Sequence, residues 1–224
     1  LSVVPTSELT DDTENCDEVH DLSGHIVLPG LVNTHHHLFQ NLTRVVPAAQ
    51  DHSLFGWLQT LYPIWLNLQP KDFYVAAATG LAELVLSGCT TSSDHQYLFP
   101  NGSRLEDSIE AAADVGIRFT ATRGSMSIGE SKGGLPPDQL CEAEDSILKD
   151  CLRVIDAHHD ASAHAMMQIA LAPCSPFSVS TGLMADTAAM AADKGVGLHT
   201  HLAENSEDID YSLTQFGQLS LIHI

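Results

Sequence analysis

The sequence predicts a parallel α/β fold, the first five β/α units of a (β/α)8 barrel. Two observations predict it. Short apolar runs alternate with helical patterns of about 10–20 residues, five times over, which is the order of βαβ units on a parallel sheet. Polar residues capable of chemistry stand just after the apolar runs: His35 and His37, Asp94 and His95, Arg123, Ser175, then His201 and Glu204. Barrels of this kind place their chemistry at the carboxyl ends of their strands. Five units do not close a ring of eight, so the expected barrel is partial.

The elements follow in order. Residues 1–25 are polar and acidic, and TDDTEN reads as a turn-rich loop. GHIVLPGLVNTHHH is a short apolar strand bent at Pro29-Gly30. LFGWLQTLYPIWLNL and PKDFYVAAATGLAELVLSG have helical periodicity, the second opened by Pro70 and closed by Gly88. CTTSSD is a strand, RLEDSIEAAADVG a helix stopped by Gly116, and IRFTATR a strand. GSMSIGESKGGLPPD holds four glycines and two prolines and reads as a loop. DQLCEAEDSILKDCLRVIDAHHD is expected as one long amphipathic helix. AMMQIALAPC is a strand, STGLMADTAAMAADKG a helix, VGLHTHLAE a strand, and SEDIDYSLTQFG opens a further helix.

Composition narrows the function. The chain has 224 residues, 44% of them hydrophobic, enough for a sizeable core. A formal charge of -20 disfavours nucleic-acid backbones and anionic membranes as partners. The five cysteines show no paired spacing and read as reduced thiols. With no secretory leader and no apolar run of about 18 residues, the expected location is the cytoplasm.

The histidines carry the chemistry. Residues two apart in a strand share a face, so His35 and His37 can aim at one ion while His36 points away to a packing role. Zinc takes about four ligands, and catalytic sites keep one position for water. The best third candidate is His201, with His199 on the same strand face as its rival; His201 stands closer to the strand end and to Glu204. Glu204, three residues past that ligand, is the natural proton carrier for a water whose pKa zinc lowers to roughly 7. An isolated HxH is weak evidence, but HxH followed far downstream by HTHLAE is specific. His158-His159 reads as a solvated helix face and Cys174 as buried structure. PCSPFS lacks the second cysteine of a cytidine-deaminase site, and no H-E-x-x-H helix is present.

LPGLVNTHHHL, GCTTSSDH, APCSPFSVS and HTHLAEN together resemble the amidohydrolase superfamily, in its branch of chlorohydrolases and purine or pterin deaminases. The resemblance covers residues 24–217. It implies one zinc ion in a (β/α)8 barrel, with His35, His37 and His201 as ligands and Glu204 as proton shuttle. The bridging lysine of binuclear relatives is missing from IALAPC, which supports a single ion. The implied reaction is hydrolytic deamination of an aminopurine, foremost 8-oxoguanine to urate and ammonia. Activated water attacks the carbon bearing the amine. Alternatives are guanine, S-adenosylhomocysteine or triazine aminohydrolysis, or a scaffold without turnover. For substrate contact the resemblance suggests Gln40 (otherwise a surface amide), Arg123 (otherwise a structural ion pair) and Trp57 (otherwise core). The implied partner is a small purine-like molecule, and the branch admits a homo-oligomer.

The same resemblance divides the chain into a β-sandwich remnant at 1–25, the barrel at 26–217 and a tail at 218–224. LSLIHI resembles translated adapter read-through, and His223 is given no role. A sixth-strand histidine and an eighth-strand aspartate of the family pattern would fall beyond residue 224. The isolated chain is therefore expected to be poorly soluble and inactive.

Overall fold

The computed structural model describes residues 4–8 and 17–219. Five strands form one sheet: β1 (Leu31–Asn33), β2 (Cys89–Gln96), β3 (Arg118–Ser125), β4 (Met167–Pro173) and β5 (Gly197–Leu198). They lie in chain order, and every neighbouring pair is parallel. Helices α1 (Leu54–Trp65) and α2 (Pro70–Leu86) join β1 to β2. Then α3 (Leu105–Val115), α4 (Glu144–His158) and α5 (Thr181–Lys194) make the remaining crossovers, and α6 (Ser206–Phe216) follows β5. Sequential parallel strands with a helix in every crossover build a barrel wall. The partial (β/α)8 barrel expected from the sequence is the observed architecture.

Local signals set the helix ends. Asp72 accepts from the backbone N–H of Gln69 at 2.8 Å and Asp107 from that of Arg104 at 2.7 Å, capping α2 and α3. Ser180 caps α5 by accepting from Leu183 N–H at 2.9 Å. Gly116 and Gly195 end their helices in the left-handed conformation, at φ of 77° and 67°.

Three stretches depart from expectation. The helix predicted over 138–160 is a 3-10 turn at Asp138–Leu140 followed by α4 from Glu144. The cause is tertiary: Glu142 N–H donates to Met126 O at 2.9 Å, tying the backbone to the end of β3 before the helix can start. The two strands that deliver the histidines are shorter than predicted. Beyond β5, His199 and His201 still donate to Leu171 O and Cys174 O at 2.9 and 3.0 Å. In the expected sandwich remnant the described residues hold one 3-10 turn, Thr6–Glu8, and no strand. Residues 1–3, 9–16 and 220–224, His223 among them, lie outside the described residues.

Two apolar clusters flank the sheet. One lies between sheet and helices and gathers Leu81, Ala111, Phe119, Ala121, Ile147, Leu171 and Leu183. The other sits beside the carboxyl ends of the strands and gathers Phe39, Leu58, Tyr62, Trp65, Tyr97, Met126 and Phe177. Alternation decides which strand residues meet which cluster. Phe119 and Ala121 face the helices, so Arg123, next in the same phase, faces them too.

Candidate metal centre

Five imidazoles converge at the strand ends. His35 and His37 follow β1, His95 lies in β2, and His199 and His201 follow β5. Ring centroids stand 4.8 Å apart for His35 and His37, and 5.1 Å apart for His201 from each of them. Candidate ligand atoms of His35, His37 and His201 lie within 4.8 Å of one another. Glu204 joins the same cavity of about 230 Å³.

The backbone fixes how two rings present themselves. His37 Nδ1 is 2.7 Å from His95 O, and His201 Nδ1 is 2.7 Å from Cys174 O. A carbonyl only accepts, so each Nδ1 carries the proton and each Nε2 a free lone pair. Those two Nε2 atoms face each other at 3.2 Å. Two acceptors with no proton between them repel; a cation between them turns that repulsion into ligation. Two nitrogens each about 2.0–2.1 Å from a tetrahedral ion stand about 3.3 Å apart, so the residues fit zinc.

Electrostatics agree. Burial, then the neighbouring His201, lowers His37 to about 3. Burial, then His35, lowers His199 to about 4. His35, His95 and His201 are shifted down as well, burial first in each case. All five imidazoles are therefore neutral near pH 7 and able to donate lone pairs. Glu204 moves the other way: burial and then Asp208 raise its carboxyl, against a smaller opposing effect of His35. Burial pushes the Cys174 thiol up to about 12, and the Cys174 carbonyl accepts from His201 Nδ1.

The remaining candidates divide. Gln40 and Trp57 line the cavity with His35, His37, His201 and Glu204. Gln40 Nε2 donates to Tyr97 Oη at 3.1 Å, and Trp57 packs edge-on against Trp65 at 5.4 Å. Arg123 is elsewhere. Its Nε donates to Asp150 at 2.6 Å, its Nη2 to Glu142 at 2.8 Å and its Nη1 to Gly124 O. Its guanidinium covers the Phe99 ring at 4.0 Å. The geometry matches the ion-pair alternative considered for Arg123, not a cavity wall. His36 also points away, with both Arg44 and Glu83 among its electrostatic neighbours. Sequence reasoning named His95 only among the polar residues at strand ends and did not name Tyr97, which lines the cavity with Tyr62 and Phe177. The signal was available for one pair: His95 and Tyr97 are two apart and continue one face of β2.

A partial parallel barrel with histidines gathered at its strand ends defines a class of barrel protein with a metal-type centre. The Amidohydrolase family profile matches residues 26–221, and the chain belongs to that family. It is 50% identical over 206 residues to 8-oxoguanine deaminase of Pseudomonas aeruginosa, covering 90% of this chain and 45% of that protein. It is 35% identical to hydroxydechloroatrazine ethylaminohydrolase of a Pseudomonas species, covering 91% of this chain and 43% of that one. Among solved structures, a triazine hydrolase from Arthrobacter aurescens superimposes with a TM-score of 0.82 at 34% identity, over 87% of this chain and 44% of that one. An atrazine chlorohydrolase of the same organism, complexed with zinc, gives 0.81 at 35% identity, over 87% and 45%. The chain thus spans less than half the length of these relatives. No helix among the described residues is long and apolar enough to cross a membrane.

Proposed function

We propose that this chain carries the metal-binding part of a cytoplasmic zinc-dependent aminohydrolase that deaminates a purine-like base, foremost 8-oxoguanine to urate and ammonia. Residues 26–217 are its barrel portion. The observation that carries the reading is the pair of unprotonated Nε2 atoms of His37 and His201 held 3.2 Å apart. The 50% identity to an 8-oxoguanine deaminase supports the substrate.

His35, His37 and His201 hold the ion, which when bound supplies a water acidified to near neutrality. Glu204 moves the protons. Its carboxylate accepts the proton of the attacking water and passes it to the ring nitrogen beside the carbon under attack. A second transfer carries the proton left on the added oxygen to the exocyclic amine. The C–N bond then breaks, ammonia leaves and a ring carbonyl remains. A carboxyl raised by burial is suited to holding a proton between the two transfers. Gln40 meets the polar edge of the base and Trp57 its flat face.

A second reading has its own support, the likeness to triazine hydrolases. Both are tested on the natural polypeptide that carries this chain, assayed with 8-oxoguanine, guanine and an aminotriazine. The expected result is turnover on 8-oxoguanine, and loss of about 10²–10⁴-fold in Glu204→Gln with zinc content unchanged. Turnover of the triazine alone selects the second reading. A fully active Glu204→Gln protein would remove Glu204 from the mechanism.

A further inference from the structure

His37 and His201 anchor their outer nitrogens on main-chain carbonyls, which no side-chain change removes. His35 does not. Its Nδ1 lies 2.9 Å from His199 Nε2, a contact between side chains 164 residues apart. That contact fixes which nitrogen of His35 is free. An ion on Nδ1 would have to share its place with the His199 nitrogen. Nε2 makes no hydrogen bond among the described residues, and it is the same ring atom that His37 and His201 leave open. A ligating imidazole bound through one nitrogen keeps its proton on the other, so His35 Nδ1–H donates and His199 Nε2 accepts.

We propose that His199 is the positioning residue of the metal ligand His35. It holds the tautomer and ring angle that present Nε2 to the ion, the part the carbonyls of His95 and Cys174 play for His37 and His201. The inference rests on the metal reading above and extends it to the histidine that sequence alone left as a rival ligand.

One observation favours an outer role for His199 over ligation in its own right. A separation of 2.9 Å is a hydrogen bond, shorter than the about 3.3 Å between nitrogens on one tetrahedral ion. A rival arrangement places a second ion among His35, His95 and His199, whose candidate ligand atoms also lie within 4.8 Å. His95 is fully buried with no partner on either ring nitrogen, so it is the residue such an ion would need. Its ring is stacked on that of His201, 4.5 Å away at 10°. Its candidate ligand atom also lies within 4.8 Å of those of Cys174 and His201, so the zinc stoichiometry of the wild type decides between one ion and two.

The test measures zinc in the natural polypeptide carrying this chain, by competition with a chromophoric chelator. Three proteins are compared: wild type, His199→Leu and His199→Gln. The glutamine amide oxygen reaches roughly where Nε2 was and can still accept from His35. The expected result is one zinc per chain in all three, with affinity 10–100-fold weaker in His199→Leu and restored to within a few-fold of wild type in His199→Gln. Metal-free melting of His199→Leu should match wild type, which a merely structural residue would not allow. Equal zinc affinity in wild type and His199→Leu overturns the proposal while leaving the metal reading intact. So do two ions in wild type and one in both variants, which would make His199 a ligand. A wild-type protein that binds no zinc overturns the metal reading and this inference with it.

Discussion

Two groups of polar side chains stand near the strand ends, one around the buried Arg123 and one of largely half-buried histidines, and they are built on opposite terms. Around Arg123 everything is satisfied: two carboxylates, a carbonyl and the Phe99 ring engage the guanidinium. Around His37 and His201 two lone pairs oppose each other, and neither ring nitrogen of His95 has a hydrogen-bond partner. A satisfied buried charge is a structural element. A set of neutral nitrogens left facing one another could hold a metal ion, because folding alone does not reward that arrangement. The contrast, rather than residue type, separates the arginine from the histidines.

The largest expected effect tests the satisfied side. Arg123→Met should lower stability by about 3 kcal/mol, because Asp150 and Glu142 keep their charges and lose their shared partner. The value sits low in the usual range, since those carboxylates are 30% and 28% exposed and water compensates in part. Urea denaturation measures it. The contrast breaks if Arg123→Met folds as well as wild type and instead raises KM for the base, which would return the guanidinium to the substrate.

The opposite sign is expected on the unsatisfied side. His95→Leu removes two unpartnered buried nitrogens and keeps a similar volume, so the metal-free protein should gain about 1–2 kcal/mol. A loss of similar size would mean that a hydrogen-bonded water already satisfies His95.

These two experiments also mark how far the sequence was legible. HxH after an apolar run and HTHLAE far downstream place His35, His37, His201 and Glu204 together because strand periodicity and parallel order are local rules. Helix ends at Gly116 and Gly195 are local in the same way. For Arg123 the sequence leaves substrate contact and an ion pair both open, and IRFTATR shows what favours the ion pair: Phe119 and Ala121 are its neighbours in phase, and an apolar face belongs to the helices. The start of α4 was not legible, because the bond from Glu142 N–H to Met126 O joins distant segments. Nor was the Nδ1–carbonyl bonding of the ligands, which depends on strands meeting in register.

Acid sharpens the comparison by separating the two groups in pH. His37 and His199 have folded values of about 3 and about 4, below the ordinary 6.5. The unfolded chain binds more protons in that interval, so stability is intact above about 6.5 and declines as pH falls toward those values. Asp150 is lowered as well, by Arg123 against its own desolvation, so the arginine group weakens only below the ordinary carboxyl value of 3.8. Asp94 works the other way. Burial raises it to about 7, and its contribution is present at low pH and lost as pH rises from 3.8 to 7. Melting of metal-free Asp94→Asn removes that opposing contribution while keeping an acceptor for Leu38 N–H. Its melting temperature should fall steadily from pH 6.5 to 4. A flat profile would show that the imidazoles are solvated and outside the contrast.

The smallest effect concerns the boundary between the two kinds of order. Tyr97 is buried beside the histidines, and its Oη accepts the Gln40 amide at 3.1 Å. One end of Gln40 is thereby fixed, and Gln40 also lines the cavity, so under the proposed function its free amide oxygen is the group left for a base edge. Tyr97→Phe keeps the ring that packs against Phe39 and His37 at centroid distances of 5.3 and 5.2 Å. It removes only the hydroxyl, a neutral hydrogen bond of about 0.5–1.5 kcal/mol. The expected outcome is a KM for the base raised about three- to tenfold, with kcat and zinc content unchanged. Steady-state kinetics on 8-oxoguanine reads it. A fall in kcat with KM unchanged would instead place Tyr97 on the reacting atoms, and the cavity would then have a catalytic hydroxyl where this geometry gives it an anchor for Gln40.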